Sequence, residues 1–421
     1  MKLTVQLVIF SSINIFLSFL FQLYIVSIFG PGRLTDALFA GMIIPQLFLS
    51  ILTGSLMYVL IPILSVETTE RFSLIGWTFF QLTGCFFLSI ALLLGLSGKY
   101  WVPLFVPGFD ETILQTTIVL IRIQLISMIF TALISVLWSA SHAKKQFVWV
   151  EISTIIANCA CLIFLYLTNV KLNIFAAAWA SVLKTLLQTI LLISVLGKFR
   201  LFDLSCEPIK KVFNRMKPLV AGTIYYKSDQ ILDRFLASMA TSGSLTLLHL
   251  AHQLYSINSM IFQKAFVTPI FPILSNKLID NDLQAFFKIF IRCFVQIIVI
   301  TAIAYIGVLV FGKQILQIIF FNFHDSETAI LWFLLIALVG FLVCDPLGQL
   351  LSTTFYAQGD TLTPTIIGIF GYTLGLILKI VGYFYAGIIG LAIGTSIYYF
   401  VNVILMALFL IKKTYIQRIS S

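Results

Sequence analysis

FGPGRLTDALFAGMIIPQLFLSILTGSLMYVLIPILS, residues 29–65, carries charge only at Arg33 and Asp36 and then runs to Ser65 without another. A stretch of this kind exceeds the ~20 residues that cross a ~30 Å hydrocarbon layer. Comparable apolar runs recur along the whole chain with short interruptions, leaving no segment for a soluble domain. Composition agrees: 60% of the 421 residues are apolar, 40 are Phe and only 10% are charged, which defines an all-α integral membrane protein. The first run begins at Leu3 with no small-residue cleavage pattern behind it and reads as a retained helix.

Working outward, twelve spans are predicted near 4–29, 34–65, 74–97, 112–141, 147–168, 173–197, 217–240, 245–275, 285–311, 328–357, 363–384 and 387–411. The net charge of +10 is not a nucleic-acid signature here, because the cations sort by membrane side. Lys2, Arg71, Lys144, Lys145, Lys277, Lys412, Lys413 and Arg418 fall on one side with the basic linker, and Arg33, Lys99, Lys171 and Lys313 on the other. The positive-inside rule then places both termini in the cytoplasm. The linker, 201–217, together with Lys198 and Arg200, concentrates cations midway along the chain. It separates an N-terminal six-helix lobe, 1–200, from a C-terminal one, 218–421. IPILS at 61–65 matches FPILS at 271–275, and SASHAKKQF at 139–147 corresponds in position to YAQGDTLTP at 356–364. Two pseudo-symmetric lobes around a central cavity are therefore expected, with substrate at the repeat interface.

Residues 29–65, PLFVPGFDE (103–111), FYAQGDTLTPT (355–365) and GIIGLAIGTSIYYFVN (387–402) resemble the MurJ/MviN family of lipid II flippases, within the multidrug/oligosaccharidyl-lipid/polysaccharide exporter superfamily. The resemblance runs in order from the first span to the twelfth. It implies alternating access that moves an undecaprenyl-linked cell-wall precursor, lipid II or similar, from the inner to the outer leaflet of a bacterial cytoplasmic membrane. The implied partners are the lipid-linked sugar pyrophosphate and membrane lipids, with no nucleic acid, and the protein is expected to act as a monomer. Family members often carry two further C-terminal helices, which this chain does not match. Asp36 matches the family's acidic residue at the start of span two, and Arg122 its span-four arginine. The cavity arginines do not match: span one has none, Leu49 and Ser50 stand where a double arginine is common, and His252-Gln253 replaces Asp-Arg. Exporters of lipid-linked polysaccharide repeat units fit this altered pattern equally. Cation-coupled drug exporters fit less well, and a scaffold that has lost transport is the reading from another class.

A pyrophosphate needs cations, and charge reappears in YYKSDQILDRF, residues 225–235. At ~100° per residue Lys227 and Arg234 share one side of a helix, while Asp229 and Asp233, four apart, share another. An unpaired charge at mid-bilayer costs about 2.5–3.5 kcal/mol, so these groups should face a wet cavity or one another. Asp233 and Arg234, close to a span end, could equally reach the interface by extending along the helix. Span eight adds Lys264, a point-charge candidate for phosphate, or alternatively a structural partner of Asp229 or Asp233. The expected substrate-binding set is Lys227, Lys264, Arg234, Asp36, His252 and Gln253, with Asp229 and Asp233 as ion-coupling groups. Lys184, Lys379 and Asp345 are isolated intramembrane charges without an assigned role, and Asp345-Pro346 suggests a break in span ten.

Catalytic signatures are missing from the sequence. Cys85, Cys159, Cys161, Cys206, Cys293 and Cys344 show neither zinc spacing nor a disulfide framework, so no metal and no cofactor are expected. With no GxxxxGK loop, energy is expected from an H⁺ or Na⁺ gradient or from the membrane potential.

Overall fold

The computed structural model describes residues 2–201, 225, 229–280 and 282–420; Lys227, Cys206 and nearly all of the 201–217 linker lie outside them. Among the described residues no strand forms. The physical reason is general: in hydrocarbon each backbone N–H and C=O must be satisfied within its own segment, and a helix does so. Nine stretches of the described residues are long and apolar enough to cross a membrane.

Contacts divide the chain into two compact units, Met1–Gly243 and Ser244–Ser421. The first contains α1 (Lys2–Phe29), α2 (Arg33–Leu64), α3 (Thr69–Phe105), α4 (Glu111–Ala143), α5 (Phe147–Leu172), α6 (Phe175–Leu192) and α7 (229–238). The second contains α8 (Ser244–Phe262), α9 (Thr268–Ile279), α10 (Leu283–Ile319), α11 (Asp325–Ala337), α12 (Val339–Ala357) and α13 (Leu362–Ser420). A π-helical turn, Gln263–Val267, joins α8 to α9, so this span runs beyond Pro272 to Ile279. α13 holds the last two expected spans, separated at Ala386–Gly387 where the backbone leaves helical geometry.

In the first unit α4 is central, packing on α2, α3 and α6. Leu60 and Leu64 of α2, Phe72 and Phe79 of α3 and Leu137 of α4 form a dry cluster at one end. Along α1 and α5 the contact is polar: the Asn14 amide donates to the Glu151 carboxylate (2.5 Å) and to the Glu151 carbonyl (3.1 Å). Lipid tails are as apolar as leucine, so such interhelical hydrogen bonds supply cohesion that apolar contact alone does not. In the second unit Phe286 and Phe290 of α10 pack with Leu347, Leu351 and Phe355 of α12.

The break in span ten lies earlier than Asp345-Pro346. The chain leaves the helix at Leu338, and Pro346 sits inside α12 without ending it. Ser396 of α13 explains the position, because its hydroxyl donates to the Ala337 carbonyl (2.5 Å) and accepts from the Gly340 N–H (2.9 Å). One side chain thus satisfies two backbone groups that an unbroken helix would have paired internally.

The two turns matched in the sequence share a backbone design. After α4, Gln146 N–H donates to the Ser141 carbonyl and Lys145 has φ +60; after α12, Asp360 N–H donates to the Phe355 carbonyl and Gly359 has φ +73. Both are helix ends closed by a left-handed residue with a 6→1 hydrogen bond. Asn173 (φ 50, ψ −140) after α5 and Gly387 (φ 58, ψ −140) within α13 form a second equivalent pair at the same sequence separation.

Each turn is also tied to a later segment of its own unit. Lys144 Nζ donates to the Val195 carbonyl (2.7 Å), and Lys413 Nζ donates to Asp360 Oδ2 (2.7 Å). Asp360 in addition caps α13, accepting from the Thr363 N–H (3.0 Å) and hydroxyl (2.9 Å). Burial pushes the Asp360 carboxyl up, but Lys413 and Thr363 outweigh it and hold it at about 2. A depressed carboxylate contributes stability above its unfolded value, near 4, and loses it as pH falls through the folded value. The melting-temperature gap between the native chain and Asp360→Asn should therefore be constant above pH 5 and close between pH 4 and 2. A gap independent of pH would show that the charge contributes nothing.

Candidate functional site

Two polar regions stand out, one in each unit. The first surrounds the end of α7. Asp36, in the first turn of α2, is only 4% exposed, and its Oδ2 accepts the Gly243 N–H at 2.7 Å. Arg234 on α7 is half-buried and lies within electrostatic reach of Asp233 first and of Asp36 second. Asp233 is 8% exposed, and Asp229, one turn back, is partly buried. The structure thus brings Asp36 of α2 to the adjacent Asp233 and Arg234 of α7, so that two carboxylates share the neighbourhood of one guanidinium.

The backbone around this group is closely packed. A Cβ on Gly108, in the α3–α4 turn, would fall 2.6 Å from Met239 Cα and nearer still to the Ser238 carbonyl. Only glycine lets that turn reach the end of α7. Beside it, Arg33 pairs with Asp110, which caps α4. Hydrogen bonds from the Ile113 N–H and the Thr112 hydroxyl, with Arg33 adjacent, hold the Asp110 carboxyl below the ordinary carboxylate range.

The second region lies in the second unit. His252 on α8 packs its ring 5.6 Å from Phe341, and Phe341 lies 5.2 Å from Tyr399 on α13. Gln253 follows, partly buried, with its carbonyl accepting from the Ser256 hydroxyl (2.9 Å). Lys264 lies in the π-helical turn and is exposed. The extra residue in such a turn re-aims the side chains around it, and π-turns concentrate at functional positions. Arg122 is exposed on α4 and donates to the Gly95 carbonyl of α3 (3.1 Å). Lys379, with no role assigned from the sequence, is fully buried with its ammonium 5.7 Å from the Tyr398 ring.

Sequence reasoning passed over a cavity of about 320 Å³ between α12, α13 and the π-turn, lined by Gln263, Asp345, Gln349, Ser352, Tyr399 and Asn402 among others. A signal was present: Asp345, Gln349, Ser352 and Tyr356 recur at helical spacing and form one polar face in an apolar span. Among the described residues no group of three or more His, Cys, Asp and Glu side chains is placed to hold a metal ion.

Comparison with known proteins places these features in a family. Residues 25–420 match the family described as lipid II flippase MurJ. A probable lipid II flippase MurJ of Rickettsia prowazekii (strain Madrid E) is 24% identical over 391 residues, spanning 89% of this chain and 76% of that protein. One from Helicobacter pylori (strain J99) is 23% identical over 88% of this chain and 86% of its own length. Among solved structures, a lipid II flippase MurJ in an inward closed conformation superposes with a TM-score of 0.83 at 19% identity, covering 97% of this chain and 87% of that one. An inward-facing multidrug resistance MATE family transporter superposes at 0.74 and 14% identity, over 97% and 94% of the two chains.

Proposed function

The chain belongs to the lipid II flippase MurJ family, and from that premise we propose that it carries lipid II, or a closely related undecaprenyl-linked precursor, across the bacterial cytoplasmic membrane. The observation that supports this reading most is the family match over residues 25–420, which takes in nearly every span. On this reading the protein is a transporter and not a catalyst, works as a monomer, and keeps both termini in the cytoplasm. The two lobes are 1–200 and 218–421, joined by the basic linker, and the H⁺ or Na⁺ gradient or the membrane potential supplies the energy.

Within this reading Lys227 and Lys264 take the phosphates in place of the family's arginines, and His252 and Gln253 also serve substrate binding. Asp36 and Arg234 belong to the contact at the end of α7, which alternating access must make and break, and Asp229 and Asp233 balance the cations and carry the coupling ion. The grouping of Asp36, Asp233 and Arg234 is what supports a closure role for that contact.

Rescue tests the function directly. A bacterium depleted of its own lipid II flippase should grow when this chain is expressed, and absence of growth with the protein present in the membrane would favour a different lipid-linked glycan. Lys264→Ala should lower flipping at least tenfold with unchanged abundance, and Lys264→Arg should keep part of it, because a phosphate accepts either cation. Equal activity of Lys264→Ala and the native chain would remove Lys264 from the site.

A further inference from the structure

Two helices of the second unit turn polar faces toward one cavity. On α12, Asp345, Gln349, Ser352 and Tyr356 follow one another at intervals of four, three and four residues, and on α13 Tyr399 and Asn402 are three apart, so each set lies on one side of its helix. Gln349 Nε2 donates to Asp345 Oδ2 at 2.9 Å. That bond orients the amide and leaves Gln349 Oε1 as an acceptor, buried and without a donor, and Asn402 Oδ1 on α13 is in the same condition. A buried polar atom left unpaired costs about 1–3 kcal/mol, so both oxygens call for a hydrogen-bond donor. Asp345 adds accepting capacity, since an ionised carboxylate offers about four lone-pair sites and the Gln349 amide occupies one of them.

Charge, size and shape narrow the donor. A carboxylate or phosphate ligand would face Asp345 and two amide oxygens of the same sign, and among the described residues no Lys or Arg lines the cavity to offset them. At about 320 Å³ the cavity falls in the lower part of the ~300–1,000 Å³ range of small-molecule sites, which suits a single ring. Tyr356 and Tyr399 add aromatic rings to the lining. A pyranose carries hydroxyls around its edge that donate as well as accept, and C–H faces that pack on an aromatic ring, so it matches both parts of this lining. Gln263, also in the lining, immediately precedes Lys264 in the π-helical turn. A sugar joined to a phosphate presents the same two chemistries in succession.

We propose that this cavity of the second unit receives a sugar ring of the transported headgroup, with Asp345, Gln349 and Asn402 accepting its hydroxyl and amide hydrogens. The assignment rests on the lipid-linked substrate proposed above and adds the residues that read its sugar. Ser352 also lines the cavity, its hydroxyl directed to Met406 Sδ (3.8 Å), and rotation of that hydroxyl would bring a further donor or acceptor to the ring. The cavity then selects among headgroups, because a site built to hydrogen-bond a substrate donor strongly rejects an analogue that lacks it.

Saturation-transfer NMR on the purified full-length chain, in a detergent without a sugar headgroup, tests this with methyl N-acetyl-β-glucosaminide as the probe and no transport step. Saturable transfer to the ring and acetamido protons is expected, displaced by lipid II and not by undecaprenyl phosphate. Asn402→Leu, which removes an acceptor and fills the space, should weaken binding of the probe at least tenfold, and so should Asp345→Ala. Thermal unfolding identifies any variant that fails to fold, and Ser352→Leu, which narrows the same cavity from α12, then takes its place. Absence of saturable transfer in the native chain, undiminished transfer in folded Asn402→Leu, or displacement by undecaprenyl phosphate as effective as that by lipid II would each overturn the assignment. A probe displaced by neither lipid would mark a site for free sugar and overturn it as well. The rescue experiment separates the two readings: growth without sugar binding keeps the flippase function and removes this site, whereas displaceable sugar binding without growth keeps the site and assigns the chain to another lipid-linked glycan.

Discussion

Gly108→Val is expected to abolish rescue of a flippase-depleted bacterium with the variant still present in the membrane. The side chain would begin 2.6 Å from Met239 Cα, against backbone that cannot rotate away as a flexible side chain could. The α3–α4 turn and the end of α7 must then separate. Overpacking of this kind costs about 1–3 kcal/mol, and each 1.4 kcal/mol is a factor of ten in the population of the packed arrangement. A carrier that visits the packed arrangement a hundredfold less often should lose most of its turnover. Gly108→Ala, with the same first clash and less bulk beyond it, should fall between. Native rescue by Gly108→Val would show that the contact is not part of the transport cycle.

The second large effect is expected at the charge group. Asp36→Ala removes a carboxylate that is 4% exposed, strips the Gly243 N–H of its acceptor, and leaves Arg234 with one acidic neighbour fewer. Arg234→Ala removes the cation that neighbours both buried carboxylates. Breaking a buried pair by removing one partner costs about 3–5 kcal/mol, whereas removing both is far milder, because the penalty comes from the charge left behind. Melting temperatures in detergent for the two single variants and Asp36→Ala/Arg234→Ala should show the double variant more stable than Arg234→Ala, since it keeps one of the two carboxylates in place of both. Rescue should be lost in all three, since each removes the Asp36 acceptor of the Gly243 N–H, the Arg234 cation, or both. Additive losses in the double variant would mean that the two residues do not interact.

Much of the architecture was legible because it depends on length and local chemistry. Some span starts fall beside residues that stop or redirect a helix: the second and eleventh expected spans begin after Gly32 and Asp360, and the boundary between the last two falls at Gly387. The repeat was also visible, although as short strings. What the strings could not convey is that Lys145 and Gly359 hold the same left-handed turn, since a lysine carries no local signal for positive φ. The Asp345-Pro346 break was misplaced for a related reason. Proline marks where a helix is weakened, but Ser396, far away in sequence, determines where it opens.

The site was legible only in part. Helical geometry separates Asp229 and Asp233 from Arg234 on α7, yet it is blind to Asp36, which reaches the same group from α2. His252 and Gln253 were found because they stand at positions where the family differs, whereas the polar face of Asp345, Gln349 and Ser352 was passed over. Asn402, which lines the same cavity, comes from another helix.

The sequence by itself determined that this chain lives in a membrane, the order in which its spans follow one another, and which lineage it descends from, because transfer into hydrocarbon depends on the composition of consecutive residues. The tertiary structure alone decided which charges neutralise one another and which buried oxygens share a cavity. Those outcomes depend on the rotation of one helix against another, and that rotation is set by packing between residues far apart in the sequence.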